Sequence, residues 1–324
     1  PHPRRCPRRL PALLALAALC PAVAAQDAPS EAAAADPAPP PAVPEAQRPR
    51  FVVQLDAGAL YAAETDLDGD DGDVQVWRAG AGVSGTYAVS DALSLRIGFD
   101  SERSWYDWGG LSDLIPGAGS EGPLEEASTY SVSAMLLGRV PDTRFGWFAG
   151  ASLIASFEDG ADIGDALYGG FTGGVTYQVN ERLRIGAGLS LSTEIEDDDV
   201  FIVPFPVVEY RINDRWRVGT EDRGFVLGFT PAESLEFRLL AGFERRQYRL
   251  EDDGGAYDDG VFIDSRVPVA LGLTYRPSRR FELSAVAGAS VWTEFEILDS
   301  EGDEIEEPDV DPGFFAGVEV RVRF

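Results

Sequence analysis

Histidine and cysteine are almost missing from this sequence. The only histidine is His2, and the two cysteines are Cys6 and Cys20. Nothing further along the chain can supply an imidazole or a thiolate. That excludes Ser-His-Asp and Cys-His catalysis there, zinc sites with nitrogen and sulfur ligands, and disulfides. Lysine is absent, since all 27 basic residues are arginine; no mechanism follows from that bias. Beyond the N-terminus no apolar run approaches the roughly 20 residues of a transmembrane helix, and mean hydropathy is only -0.11. Positive charge is scarce: the net charge of -28 argues against nucleic acid as a partner.

What is present begins with an export signal over 1–24. Arg4, Arg5, Arg8 and Arg9 form a basic stretch, Leu10 to Leu19 a short apolar one, and Ala22-Val23-Ala24 a small-x-small cleavage pattern. The missing initial Met suggests a truncated or misassigned start. A lipoprotein reading would use Cys20, but Leu19 stands where a small residue is needed. Signal removal takes His2 and both cysteines with it. Residues 25–49 are rich in Ala and Pro and cannot bury a core, so they read as a disordered linker.

From Arg50 onward the chain alternates. Phe51, Val53, Leu55 and Ala57 oppose Gln54, Asp56 and Gly58; Leu93, Leu95, Ile97 and Phe99 oppose Ser94, Arg96, Gly98 and Asp100. Period two is the mark of a strand with two unlike faces. The same pattern recurs through Leu183–Leu191, Val267–Tyr275 and Phe281–Phe295. We count about fourteen strands, with twelve as the fallback if the short stretch 215–230 is distorted. Tight turns at 90–91, 141–143, 180–181, 213–214, 231–234 and 277–279 alternate with long or acidic loops near 63–73, 106–126, 158–166, 195–199, 220–223, 251–262 and 297–311. An even strand number with alternating short and long connections predicts an all-β, antiparallel up-and-down transmembrane barrel of the bacterial outer membrane over 50–324.

Energetics orient the faces. An arginine facing the bilayer midplane costs about 2–4 kcal/mol. The apolar set, Phe295 included, is therefore expected outside, with aromatics such as Tyr61, Tyr87, Tyr130, Tyr177, Trp216, Tyr275 and Phe324 at the interfaces. The charged set is expected to line a pore: Arg78, Arg96, Asp100, Glu102, Arg182, Arg184, Glu209, Arg211, Glu236, Arg238, Glu244, Arg246, Arg266, Glu282, Glu294, Glu319 and Arg321. Either a water-filled pore that sorts solutes by charge or a closed bore of satisfied salt bridges fits that list. Asp66, Asp68 and Asp70 look faintly like a calcium loop, but the sixth and twelfth places hold Asp71 and Trp77 where Gly and Glu are needed. They read as part of a solvated acidic rim that attracts divalent cations, which also bridge the phosphates of lipopolysaccharide. Glu294 and Glu296 share a strand face without a sugar cleft, so no catalytic role is assigned and no cofactor is expected.

The last stretch, with Phe314, Val318, Val320, Val322 and Phe324 on one face, resembles the final strand of outer-membrane barrels, which implies recognition by the barrel-assembly machinery. Residues 50–324 as a whole carry phrases such as NERLRIGAGLSL (180–191), INDRWRV (212–218), RPSRRFELSAVAGASV (276–291), FEDGADIGDALYGG (157–170) and SERSWYDW (101–108). These resemble an uncharacterised family of Gram-negative outer-membrane β-barrels. The resemblance implies fold and location and carries no functional residues. The function expected is a passive porin-like channel for small hydrophilic solutes. The alternative is a non-conducting structural or adhesive barrel whose acidic loops bind cations or partners.

Overall fold

The computed structural model describes residues 51–67, 72–110, 122–195, 200–221, 224–252 and 257–324. The signal, the linker, Asp68 and Asp70 lie outside the described residues. The strands are β1 (Phe51–Asp66), β2 (Asp73–Ser90), β3 (Leu93–Gly109), β4 (Glu126–Arg139), β5 (Phe145–Glu158), β6 (Leu167–Asn180), β7 (Leu183–Thr193), β8 (Val200–Arg211), β9 (Trp216–Glu221), β10 (Gly224–Ala232), β11 (Leu235–Gly242), β12 (Glu244–Arg249), β13 (Val261–Ser278), β14 (Phe281–Leu298), β15 (Glu304–Glu306), β16 (Asp309–Val310) and β17 (Gly313–Arg323). β12 continues the line of β11 along β13, and the short β15 and β16 pair with the far half of β14. Each remaining strand pairs antiparallel with its predecessor, and β17 pairs with β1. The result is a closed barrel of 14 strands.

The tight turns follow from their residues. The Asn180 side-chain oxygen accepts the N–H groups of Arg182 and Leu183, and Asn213 does the same for Arg215 and Trp216. An Asx side chain that copies a backbone turn in this way reverses the strand within a few residues. Asp142, at φ 59°, takes the left-handed position in the β4–β5 turn.

Register sets the two faces. The row Leu55–Val83–Phe99–Val132–Leu153 runs across β1 to β5 on the outside. Its members stand exposed: Val132 at 53%, Leu153 at 55%, and Leu271 across the barrel at 69%. Contiguous exposed apolar surface on this scale marks a lipid or partner interface. Aromatic pairs bound it: Tyr61 with Trp77 above (4.5 Å), Phe145 with Tyr177 below (4.9 Å). Trp77 to Tyr87 on β2 matches a bilayer crossing of roughly 9–11 residues. The inner rows are polar, as in Gln54–Ser84–Gly98–Ser133–Ser152–Gly170–Ser192. Apolar outside, polar inside and closed on itself, the protein is an outer-membrane β-barrel.

One side departs from the simple barrel. Pro268 has no N–H, and the β11/β12–β13 ladder breaks opposite it between Ala241↔Val269 and Glu244↔Arg266. On the next strand the register slips by one residue between Arg266↔Thr293 and Pro268↔Ser290. A bulge of this kind bends a strand and swaps its faces. Phe243 and Trp292 stack across the break at 6.2 Å. Beyond this line β12 leaves the wall and crosses the bore, so that Arg249 pairs in parallel with Phe157 of β5. β5 and β12 are otherwise separated by several strands in either direction around the barrel.

The crossing creates a packed outer storey. Tyr248, Phe262, Phe295 and Ile297 are fully buried and meet Val74, Val76, Tyr106 and Leu124 from the opposite wall. Tyr106 stands edge-on to Tyr248 at 6.2 Å and to Phe262 at 5.5 Å. Trp108 closes on Phe295 at 5.5 Å. This corrects two sequence expectations. Phe295 faces the core, not lipid, because the bulge at Val291–Trp292 inverts everything after it. The same bulge takes Glu294 off the inner face that Glu282 occupies, so the two do not share a row.

Candidate functional site: the bore

Below the packed storey the barrel encloses a cavity of about 670 Å³. Two glycines shape it by close approach. At Gly82 a Cβ would fall 2.4 Å from Asp100 Oδ1 and 2.5 Å from Asp56 Oδ2, so only a glycine admits both carboxylates. At Gly188 a Cβ would lie 2.4 Å from the Phe205 ring. Phe205 and Phe148 pair at 6.2 Å on the inner face of β8 and β5. Neither phenylalanine was anticipated inside; the bare surfaces of Gly174 and Gly188 beneath them were the available signal.

The wall divides into two kinds. From β4 to β7 it is lined with hydroxyls: Thr129 with Ser156 at 2.7 Å, Thr172 with Ser190 at 3.2 Å, then Ser131, Ser133, Ser152 and Ser192. The other arc carries charge, mostly in ion pairs. Glu236 bridges Arg217 and Arg276, both at 2.8 Å. Glu282 holds Arg276 at 2.6 Å and Arg321 at 3.1 Å, and Arg321 reaches Glu319 at 2.8 Å. Arg238 faces Glu221 at 3.6 Å. Arg96 donates to Ser84 at 3.1 Å, and Asp100 accepts from Ser131 at 3.5 Å.

At the boundary between cavity and packed storey sits a buried charge centre. Asp264 of β13 accepts from Arg78 at 2.5 Å, from the Tyr106 hydroxyl at 2.8 Å and from Arg266 at 2.6 and 3.0 Å. Arg78 belongs to β2 and Tyr106 to β3, so this carboxylate ties the inward-folded strands to the far wall. Arg246 adds Glu102 of β3 at 3.0 Å and Glu244 at 2.7 Å. Ser104 and Tyr248 are 3.2 Å apart. On the other face of β12, Arg245 meets Glu194 at 2.5 Å, and Gln247 accepts from the Ile195 N–H at 3.2 Å. A buried charge supplied with this many donors is held in one geometry, and removing any partner leaves a charge stranded. Sequence reading missed Asp264, because the charge lies next to a stretch read as a loop.

The remaining expected pore residues fall outside these groups. Arg184 pairs with Glu209 at 3.1 Å toward the turn end, where both are partly exposed. Arg211 lies two residues beyond Glu209, at the foot of β8. Arg182 stands exposed in the β6–β7 turn, outside the bore, since Asn180 closes that turn around it. Asp66 is exposed at the end of β1. In β17, Phe314, Val318 and Phe324 are exposed on the outer face with Val320 and Val322 half-buried beside them, and the Phe324 N–H donates to Val53 O at 2.9 Å.

No family model matches the sequence, and no curated protein matches it. Similar solved structures include an outer-membrane channel of Pseudomonas putida F1, at 12% identity over 86% of this chain and 97% of that one, TM-score 0.43. The P. putida toluene transporter TodX matches at 10% identity over 85% and 89%, TM-score 0.36. A Pseudomonas aeruginosa FadL homologue matches at 13% identity over 84% and 90%, TM-score 0.34. At such distances these likenesses bear on neither solute nor site.

Proposed function

We propose that the protein is an outer-membrane channel for small hydrophilic solutes, with the polar cavity as its conduit and the packed outer storey as its closure. The supporting observation is the cavity itself, lined by opposed hydroxyl and charged arcs within the bilayer-spanning part of the barrel. Mixed-sign rows across a wet bore create a transverse field suited to sorting small polar or zwitterionic solutes. The Asp264 centre keeps the closure in place. Planar-bilayer conductance tests this reading. The native barrel is expected to pass little current, and Asp264→Ala to pass several-fold more. If both are silent, and liposomes loaded with either also fail to swell in small sugars, the barrel is a non-conducting structural or adhesive one. The dense packing of Tyr248, Phe262 and Phe295 is the feature that favours this second reading.

A further inference from the structure

The wall has a gap on the side where β12 departs. β8 runs unbroken along β7 from Leu183↔Tyr210 to Thr193↔Val200. Along β9 it pairs only at Glu209, Tyr210 and Arg211. The β9–β10 hairpin is too short to reach further, since β9 has 6 residues against the roughly 9–11 that a bilayer crossing needs. On its other flank β11 ends at Gly242, where the chain turns inward. Above the hairpin, the β8 edge from Val200 to Pro206 therefore has no strand paired to it on that side among the described residues.

The sequence of that edge explains why it stays open. Val208 donates its N–H toward β9, to Thr220 Oγ1 at 3.0 Å, while the Arg211 N–H points back to Arg182 O at 2.8 Å. Alternate residues share a direction, so positions 206 and 204 would present the next two N–H groups to the gap. Both are proline, which has none. An unsatisfied backbone donor in hydrocarbon costs several kcal/mol. The two prolines delete these donors and also deny a neighbouring strand the bonds it would need.

What borders the gap has two characters. The outer rim is apolar and exposed, with Ile202 at 60% and Phe225 at 56%. The inner end is polar, with Tyr168, Arg245 and Ser192 lining the cavity. Ser192 is only 6% exposed, and its hydroxyl has no hydrogen-bond partner. We infer that the gap is a permanent side port, kept open by Pro204 and Pro206, through which single-chain amphiphiles enter. The hydrocarbon tail stays in the outer leaflet while the compact polar head reaches Ser192 and the cavity. This goes beyond conduction along the axis and rests only on the membrane-spanning reading.

Because residues 21–324 contain no cysteine, single cysteines can carry a fluorophore for quenching by brominated phospholipid. The label goes at Ser192 by the port, at Ser133 on the inner face of the closed β4 wall, and at Val132 on the lipid face. Phe201→Cys serves if Ser192→Cys does not fold. The expected result is strong quenching at 132, several-fold weaker quenching at 133, and quenching at 192 close to that at 132. A variant with Pro204→Val, Pro206→Thr and both hairpin arms lengthened by a pair of residues should return position 192 to the level of 133. Equal, weak quenching at 192 and 133 in the native barrel overturns the port. Weak quenching at 132 overturns the membrane reading instead. With brominated dodecylphosphocholine as the probe, saturable quenching at 192 and none at 133 supports entry of a single-chain amphiphile; equal response at both contradicts it.

Discussion

The outer storey and the bilayer storey are made from the same strands yet obey opposite rules. In the bilayer storey apolar side chains face out toward lipid and polar ones face in toward the cavity. In the outer storey Phe262, Phe295, Tyr248 and Ile297 face in and form a core like that of a soluble domain. The switch needs three local events at one level: a proline at 268, a broken ladder at Phe243 and a one-residue bulge at Val291–Trp292. A barrel wall can thus pass from a polar-lined cavity to a packed apolar core along its own axis without a separate plug domain.

The difference can be broken first at the charge centre. Asp264→Ala strands Arg78 and Arg266 in a buried site, and a broken buried pair costs about 3–5 kcal/mol. The outer storey should become protease-sensitive while the bilayer storey keeps its heat-modifiable mobility on gels. Phe295→Ala should cost a similar amount, about 3–5 kcal/mol, through the cavity it leaves. Were Phe295 in lipid, as alternation alone suggests, its loss would leave protease resistance of the outer storey unchanged.

A second contrast lies within the bilayer storey. Val132→Arg puts a guanidinium into lipid and should lower folding stability in vesicles by about 2–4 kcal/mol, measured by urea titration. Ser133→Arg, one residue along and facing the cavity, should change it far less. A smaller effect is expected at Gly82→Ala, where overpacking against Asp56 and Asp100 costs on the order of 1–3 kcal/mol. Smallest is Glu209→Gln: its pair with Arg184 is partly exposed, and such pairs contribute about 0–1 kcal/mol.

How far the sequence carries depends on the storey. Alternation exposed the strands, the faces and the strand count wherever lipid lies on one side and water on the other. The Asx turns at Asn180 and Asn213 were readable for the same local reason. Residues 244–266 defeated that logic because β12 and the first half of β13 have protein on both faces. Arg245, Gln247, Tyr248, Phe262 and Asp264 consequently show no lipid-facing rhythm, and 251–262 read as a loop. Phe295 was misassigned because period two cannot register an inserted residue. The prolines at 204 and 206 stand two apart in the sequence, and each lacks an N–H for a ladder. Which neighbour lost the bonds became clear only once Val208 and Arg211 fixed the direction of their N–H groups.

Crossing of the bore by β12 is tested most directly by a disulfide between Phe157→Cys and Arg249→Cys. Paired strand residues lie within the roughly 4.4–6.8 Å Cα separation that a disulfide spans. In a barrel whose upper strands all stay in the wall, these two positions would lie on separate walls, beyond the reach of a disulfide. Mild oxidation is expected to link them in the folded barrel, seen as a shift in denatured mobility that a reductant reverses. Failure to cross-link in a heat-modifiable, correctly folded double variant would contradict the packed outer storey.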